Sequence, residues 1–179
     1  KTNDPDGGST WKAIYRVIGN ANIVINAADN LTWGGSNDPQ ETANEIKRLK
    51  GQAYTIRALA LFDLLRLYGQ QYAGGTLGVP IPLQYDPNAS STRATVAQTE
   101  AQIESDLNRA NVLFESIGDV VEQTSSSEKN YISPLALKAI ASRYYLYKGN
   151  YAKVAELSDA IIASGKYAVA AKEDLQGTF

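Results

Sequence analysis

Between Ala58 and Leu67 the chain is apolar almost all the way round a helix, interrupted only by Asp63 and Arg66. A helix apolar on most sides is a buried one. The segment closes a longer run, about residues 41–68, in which Ile46, Leu49, Ala53, Ile56, Ala60, Leu64 and Leu67 keep a helical stripe. Asp63 and Arg66 stand three apart and can pair as helix neighbours, and Gly69 is the expected stop.

Four other stretches carry the same periodicity. Trp11, Ile14, Ile18, Ala21, Ile25 and Ala28 form one stripe of a helix over about 11–29. Thr10 is placed to cap it, and the polar KTNDPDGGST before it reads as a lead-in. Thr95-Val-Ala-Gln98 is a capping-box pattern opening a helix over about 96–117. Its buried face is Ile103, Leu107, Ala110, Phe114 and Ile117. Ser133-Pro134 places a cap and a first-turn proline ahead of a helix over 134–148. Gly149-Asn150 is a tight turn into a last helix over 151–163, ended by Gly165. Residues 119–130 read as a solvated loop.

No helix is possible from Gly69 to Ser91, where four glycines precede Pro80, Pro82 and Pro87. Loops of this length inside a compact domain are usually functional or disordered. Gly78-Val-Pro-Ile-Pro-Leu83 is too apolar for disorder, so it is expected to pack on the helices. The predicted class is all-α, one domain over 1–179, with a long irregular loop.

Composition narrows the chemistry. The 179 residues carry 17 Lys+Arg and 19 Asp+Glu, a formal charge of −2, with no His, Cys or Met. Cys–His nucleophile pairs, Ser-His-Asp triads and thiolate or imidazole metal sites are thereby excluded. The near-neutral balance argues against a nucleic-acid surface, and no apolar run is long enough to span a bilayer. Glycosidases need two carboxylates about 5–10 Å apart in a cleft. Glu100, Glu104 and Asp106 read instead as the solvated polar face of a helix, and Glu41 and Glu45 as acids favoured by a helix N-terminus. No catalytic residue, metal or cofactor is expected.

The last hairpin has the spacing of a degenerate tetratricopeptide repeat: Ser142, Tyr145, Gly149-Asn150-Tyr151 and Ala155, with Val154 and Lys166 departing from the pattern. Tyr144, Tyr145, Tyr147 and Tyr151 are expected to pack between helices. The predicted architecture is therefore tetratricopeptide-like hairpins in a right-handed superhelix. Such hairpins could equally serve as a scaffold that binds only protein, although a plain repeat array lacks a segment like 69–91.

Taken in order, these segments resemble the SusD/RagB family, surface nutrient-binding lipoproteins of Bacteroidetes. Trp11-x3-Tyr15-x2-Ile18-x2-Ala21-Asn22 is similar to its first helix. Gly51-x-Ala53-x3-Arg57-Ala58-x3-Phe62-x-Leu64-x3-Tyr68-Gly69 is similar to its second, and Gly78-Val79-Pro80-Ile81-Pro82-Leu83 to the segment that follows. Ile103-x2-Asp106-Leu107-x2-Ala110 resembles the third helix. Ser133-x2-Ala136, Leu146-Tyr147-x-Gly149-Asn150-Tyr151 and Ser164-Gly165-x-Tyr167 resemble the last hairpin. The resemblance implies a non-enzymatic component that captures a glycan or other nutrient for a SusC-like TonB-dependent transporter. It implies the cell surface of the outer membrane, reached through a lipid anchor outside this chain. It also implies that 1–179 is the N-terminal helical portion of a longer protein, with much of the ligand site in the remainder.

Within the chain, Trp33 lies in a Gly-rich loop beside Asn37 and Asp38. An aromatic face offers C–H contact to a sugar ring, and neighbouring polar groups hydrogen-bond its hydroxyls. The competing reading is a loop tryptophan tucked against the helices. Tyr72 and Tyr85 in the long loop are candidates for ligand or partner contact, whereas Trp11 reads as core. Asn22 is expected to make a structural hydrogen bond to a turn. Arg57 is expected to pair with a carboxylate or with carbonyls of 70–83 and so hold the loop down. Gly69, Pro80, Gly149 and Tyr151 complete the structural set.

Overall fold

The computed structural model describes residues 5–31, 38–71, 74–88, 91–117 and 131–167. Five helices follow one another: α1 Pro5–Ile25, α2 Pro39–Tyr68, α3 Val96–Ser116, α4 Pro134–Tyr147 and α5 Tyr151–Ala163. Among the described residues the one extended pairing is an isolated antiparallel bridge between Leu77 and Thr95. The chain is all-α, as its periodicity requires.

α2 is the central element. Its 30 residues span about 45 Å, and it packs most extensively on α3 and α1. Leu61, Leu64 and Leu65 of α2, Ile18 of α1 and Ile103 of α3 are fully buried around it. Gly51 lets α3 approach: a Cβ there would sit 3.1 Å from the Phe114 ring. α4 and α5 pair with each other, and α4 makes a smaller contact with α2 and α3. Tyr144 carries that contact, its ring edge-on to Phe62 at 5.5 Å. Its hydroxyl donates to Glu104 Oε1 at 2.9 Å.

Helix ends follow local chemistry. Thr95 and Gln98 form a reciprocal capping box, Ser133 Oγ accepts from Ala136 N, and Asp38 Oδ1 accepts from Gln40 N at 2.7 Å. Gly149 makes the α4–α5 turn with a φ of 73°, a left-handed conformation that other residues rarely adopt. Gly69 is needed for a different reason. Its backbone is extended, but a Cβ would lie 2.4 Å from the Leu65 carbonyl oxygen.

Four expectations are corrected. α1 runs over 5–25 rather than 11–29, so Thr10 lies inside it. Pro5 suits a first helical position, and Trp11 anchors the turn against Tyr15 and Tyr68 at ring separations of 4.8 and 4.9 Å. At the far end the Lys50 ammonium takes the Ala27 carbonyl at 2.7 Å, and Ala28 is exposed beyond the helix. Leu67 is 54% exposed, because about 100° per residue turns it away from the packed Tyr68. Tyr151 is 71% exposed, since α5 buries no residue of its own.

Candidate functional site

The long loop is laid along α1 by three side-chain donors, two on the helix and Asn26 just past its end. Tyr15 Oη donates to Pro80 O at 2.8 Å, Asn22 Nδ2 to Pro82 O at 2.9 Å, and Asn26 Nδ2 to Leu83 O at 2.9 Å. Prolines lack an N–H, so this segment presents mainly carbonyls to be satisfied, and α1 supplies what it needs. The Tyr15 phenol is pushed well above its ordinary pKa by burial, with Arg93 pulling part of the way back. Its proton therefore stays on as the donor.

On the other side the loop is fastened to the start of α3. Gly78 N donates to Ala94 O at 2.8 Å and Val96 N to Thr76 O at 2.8 Å. Arg93 Nε reaches Gly78 O at 2.9 Å and its Nη2 reaches Tyr68 O at 2.5 Å. A side chain at Gly78 is excluded by Thr99 Oγ1 and Thr95 O, which would meet its Cβ at 2.4 and 2.6 Å. Val79 is fully buried between them.

Beneath the loop lies a buried polar relay. Arg57 meets Asp106 with two parallel bonds, Nε to Oδ2 at 2.8 Å and Nη2 to Oδ1 at 2.7 Å. Its Nη1 donates to Asn22 Oδ1 at 2.8 Å, and Asn22 passes the connection to Pro82. Gln102 Nε2 adds a bond to Asp106 Oδ1 at 2.9 Å. The guanidinium also lies 5.3 Å from the Tyr54 ring centroid. Three helices and the loop are thus tied through one cation.

Arg57 thus meets a carboxylate, and Asn22 bonds a loop carbonyl. Asp106, expected on a solvated helix face, has a side chain 0% exposed and is a buried counter-ion instead. Its spacing carried the signal, three residues after Ile103 and four before Ala110 on the buried face. Glu104 and Glu100 are engaged as well, at 2.8 and 3.3 Å from Lys148 Nζ.

Between α1 and residues 80–87 opens a cleft of about 700 Å³, within the size range of small-molecule sites. Trp11, Tyr15, Arg16, Asn20, Tyr85 and Asp86 are among its lining residues. Tyr85 is 58% exposed, and its ring edge rests against Gly19, where a Cβ would lie 3.1 Å from Cδ2. Trp11, read as core from its stripe, packs on Tyr15 and Tyr68 and lines this cleft too.

Of the other sequence-derived candidates, Trp33, Asn37 and Tyr72 lie outside the described residues. Asp38 sits at the α2 N-terminus as its cap. Among the described residues no group of three or more Asp or Glu could hold a metal ion.

Comparison with known proteins places this architecture. The family model SusD-like_3, described as starch-binding associating with outer membrane, matches residues 2–146. The chain belongs to the SusD-like family. A SusD superfamily protein from Bacteroides thetaiotaomicron VPI-5482 is 31% identical, over 92% of this chain and 34% of its own, with a TM-score of 0.73. Another, from Bacteroides vulgatus ATCC 8482, is 27% identical over 94% of this chain and 36% of its own, with a TM-score of 0.74. A putative sugar binding protein from the same organism is 32% identical over 87% of this chain and 32% of its own, with a TM-score of 0.69. This SusD-like chain therefore spans about a third of the length of these solved relatives. No curated protein matches it. No helix among its described residues is long and apolar enough to cross a membrane.

Proposed function

We propose that this chain is the helical portion of a surface nutrient-binding protein that captures a glycan and passes it to a SusC-like TonB-dependent transporter in the outer membrane. The family match over residues 2–146 carries the reading. It is supported by likeness to a protein described as sugar binding. Membrane attachment would come from a lipid anchor outside this chain.

The mechanism is capture without bond-making or bond-breaking. Helices joined through the Arg57 relay form a rigid support, and loops on it present aromatic faces and hydroxyl-binding groups. Trp33, Asn37, Asp38 and Tyr72 are proposed contributors. A scaffold that binds only protein accounts less well for the loop, whose Pro80 and Pro82 carbonyls are held by α1 and whose Leu83 carbonyl is held by Asn26.

A glycan-array screen of the full-length protein, with Trp33→Ala alongside, tests this. Binding to a defined glycan is expected. Loss in the variant would assign Trp33 to the site, and retention would remove Trp33 from it. Absence of any glycan binding would overturn the reading.

A further inference from the structure

The cleft between α1 and residues 80–87 has the make-up of a sugar site and, of the residues the sequence offers as ligand contacts, contains Tyr85 alone. Its walls are preorganised. Tyr15 and Asn22, both of α1, bond the Pro80 and Pro82 carbonyls across it, so little freedom remains to be lost on binding. Gly19 lets the aromatic ring come close: a Cβ there would lie 3.1 Å from Tyr85 Cδ2, and the ring would have to give way by a few tenths of an ångström. The ring is held there and still more than half exposed.

Around it, Arg16, Asn20, Gln84 and Asp86 line the same space. The Arg16, Asn20 and Gln84 side chains make no hydrogen bond or ion pair within the described residues, and Asp86 spends one oxygen on Asn88 N at 2.8 Å. Donors and acceptors are both on offer. One guanidinium and one carboxylate cancel in charge, which disfavours an anionic or cationic ligand and suits a neutral one rich in hydroxyls. An exposed aromatic surface beside planar polar groups matches a pyranose, which presents apolar C–H groups on its faces and hydroxyls at its edge.

We infer that this cleft is a binding subsite for a neutral oligosaccharide, with a sugar ring packed on Tyr85 and its hydroxyls taken by Arg16, Asn20, Gln84 and Asp86. The inference rests on the glycan-capture reading above and assigns part of that capture to this chain. Asn22 and Tyr15 act as positioning residues that hold the wall.

The test is calorimetric titration of the full-length protein with maltoheptaose, cellohexaose, xylohexaose and mannohexaose. Tyr85→Ala, Tyr85→Trp, Asn20→Ala and Gly19→Leu are compared with the parent, each checked for an unchanged thermal midpoint. Tyr85→Ala should weaken binding roughly three- to tenfold, the scale of one aromatic contact, and Tyr85→Trp should keep it. Gly19→Leu retains a good helix former and fills the floor, so it should weaken binding without removing any ligand-contacting group. If the parent binds and all four variants bind equally well, the cleft is not a subsite and glycan capture stands elsewhere. If the parent binds none of these four and no glycan on the array, both readings fall.

Discussion

Arg57 is the residue on which the largest number of segments depend. Its charge is compensated by Asp106 through two bonds, and its Nη1 donates to Asn22. Removing one partner of a buried pair leaves an uncompensated charge in a low-dielectric interior, at a cost on the order of 3–5 kcal/mol. Asp106→Ala should therefore lower stability by about that amount, measured by urea unfolding. The double variant Arg57→Met/Asp106→Leu should recover much of the loss, because no charge is then left buried. A single variant of wild-type stability would contradict the role assigned to the relay.

At the level of helices, burial is unequally shared. α2 is enclosed by α1 and α3, whereas α5 buries no residue, and Ile162 on it is 72% exposed. Local opening costs least where few apolar contacts are broken. In hydrogen exchange on the 179-residue chain, α5 amides should exchange far faster than those of residues 57–65 in α2. Equal protection of the two would show that α4 and α5 unfold only with the core. The long loop belongs with the protected set despite its irregular backbone, since α1 and α3 clamp it from both sides.

Across the molecule, buried phenols set the response to alkali. Burial raises the pKa of Tyr15 and of Tyr144 above the ordinary 10.0, with a hydrogen bond to Glu104 adding to the shift at Tyr144. A folded-state pKa above the unfolded value means that the unfolded chain binds fewer protons once pH passes about 10. Stability contributed by these groups is complete below that pH and is lost as pH rises through the folded values. Lys148 acts in the same direction: burial pulls its pKa down, but bonds to Glu104 and charge from Glu100 outweigh this and leave it raised. A thermal midpoint that stays level to about pH 9.5 and then falls is expected, with Tyr144→Phe showing a shallower fall.

The five helices and most of their ends can be read without coordinates, because a period of 3.6 and a cap such as Thr95 or Ser133 involve residues a few places apart. The family could be recognised from the same ordered spacings. Arg57 needed a partner, and the chain order alone left several. Choosing Asp106 depended on how α2 faces α3, a packing angle that no local pattern encodes. The cleft is further out of reach, since Tyr85 lacks meaning as a ring platform until the Gly19 turn of α1 lies beneath it. Local chemistry thus decided which segments are helical and where they stop, while pairing of distant segments through shape and buried charge decided which side chains meet.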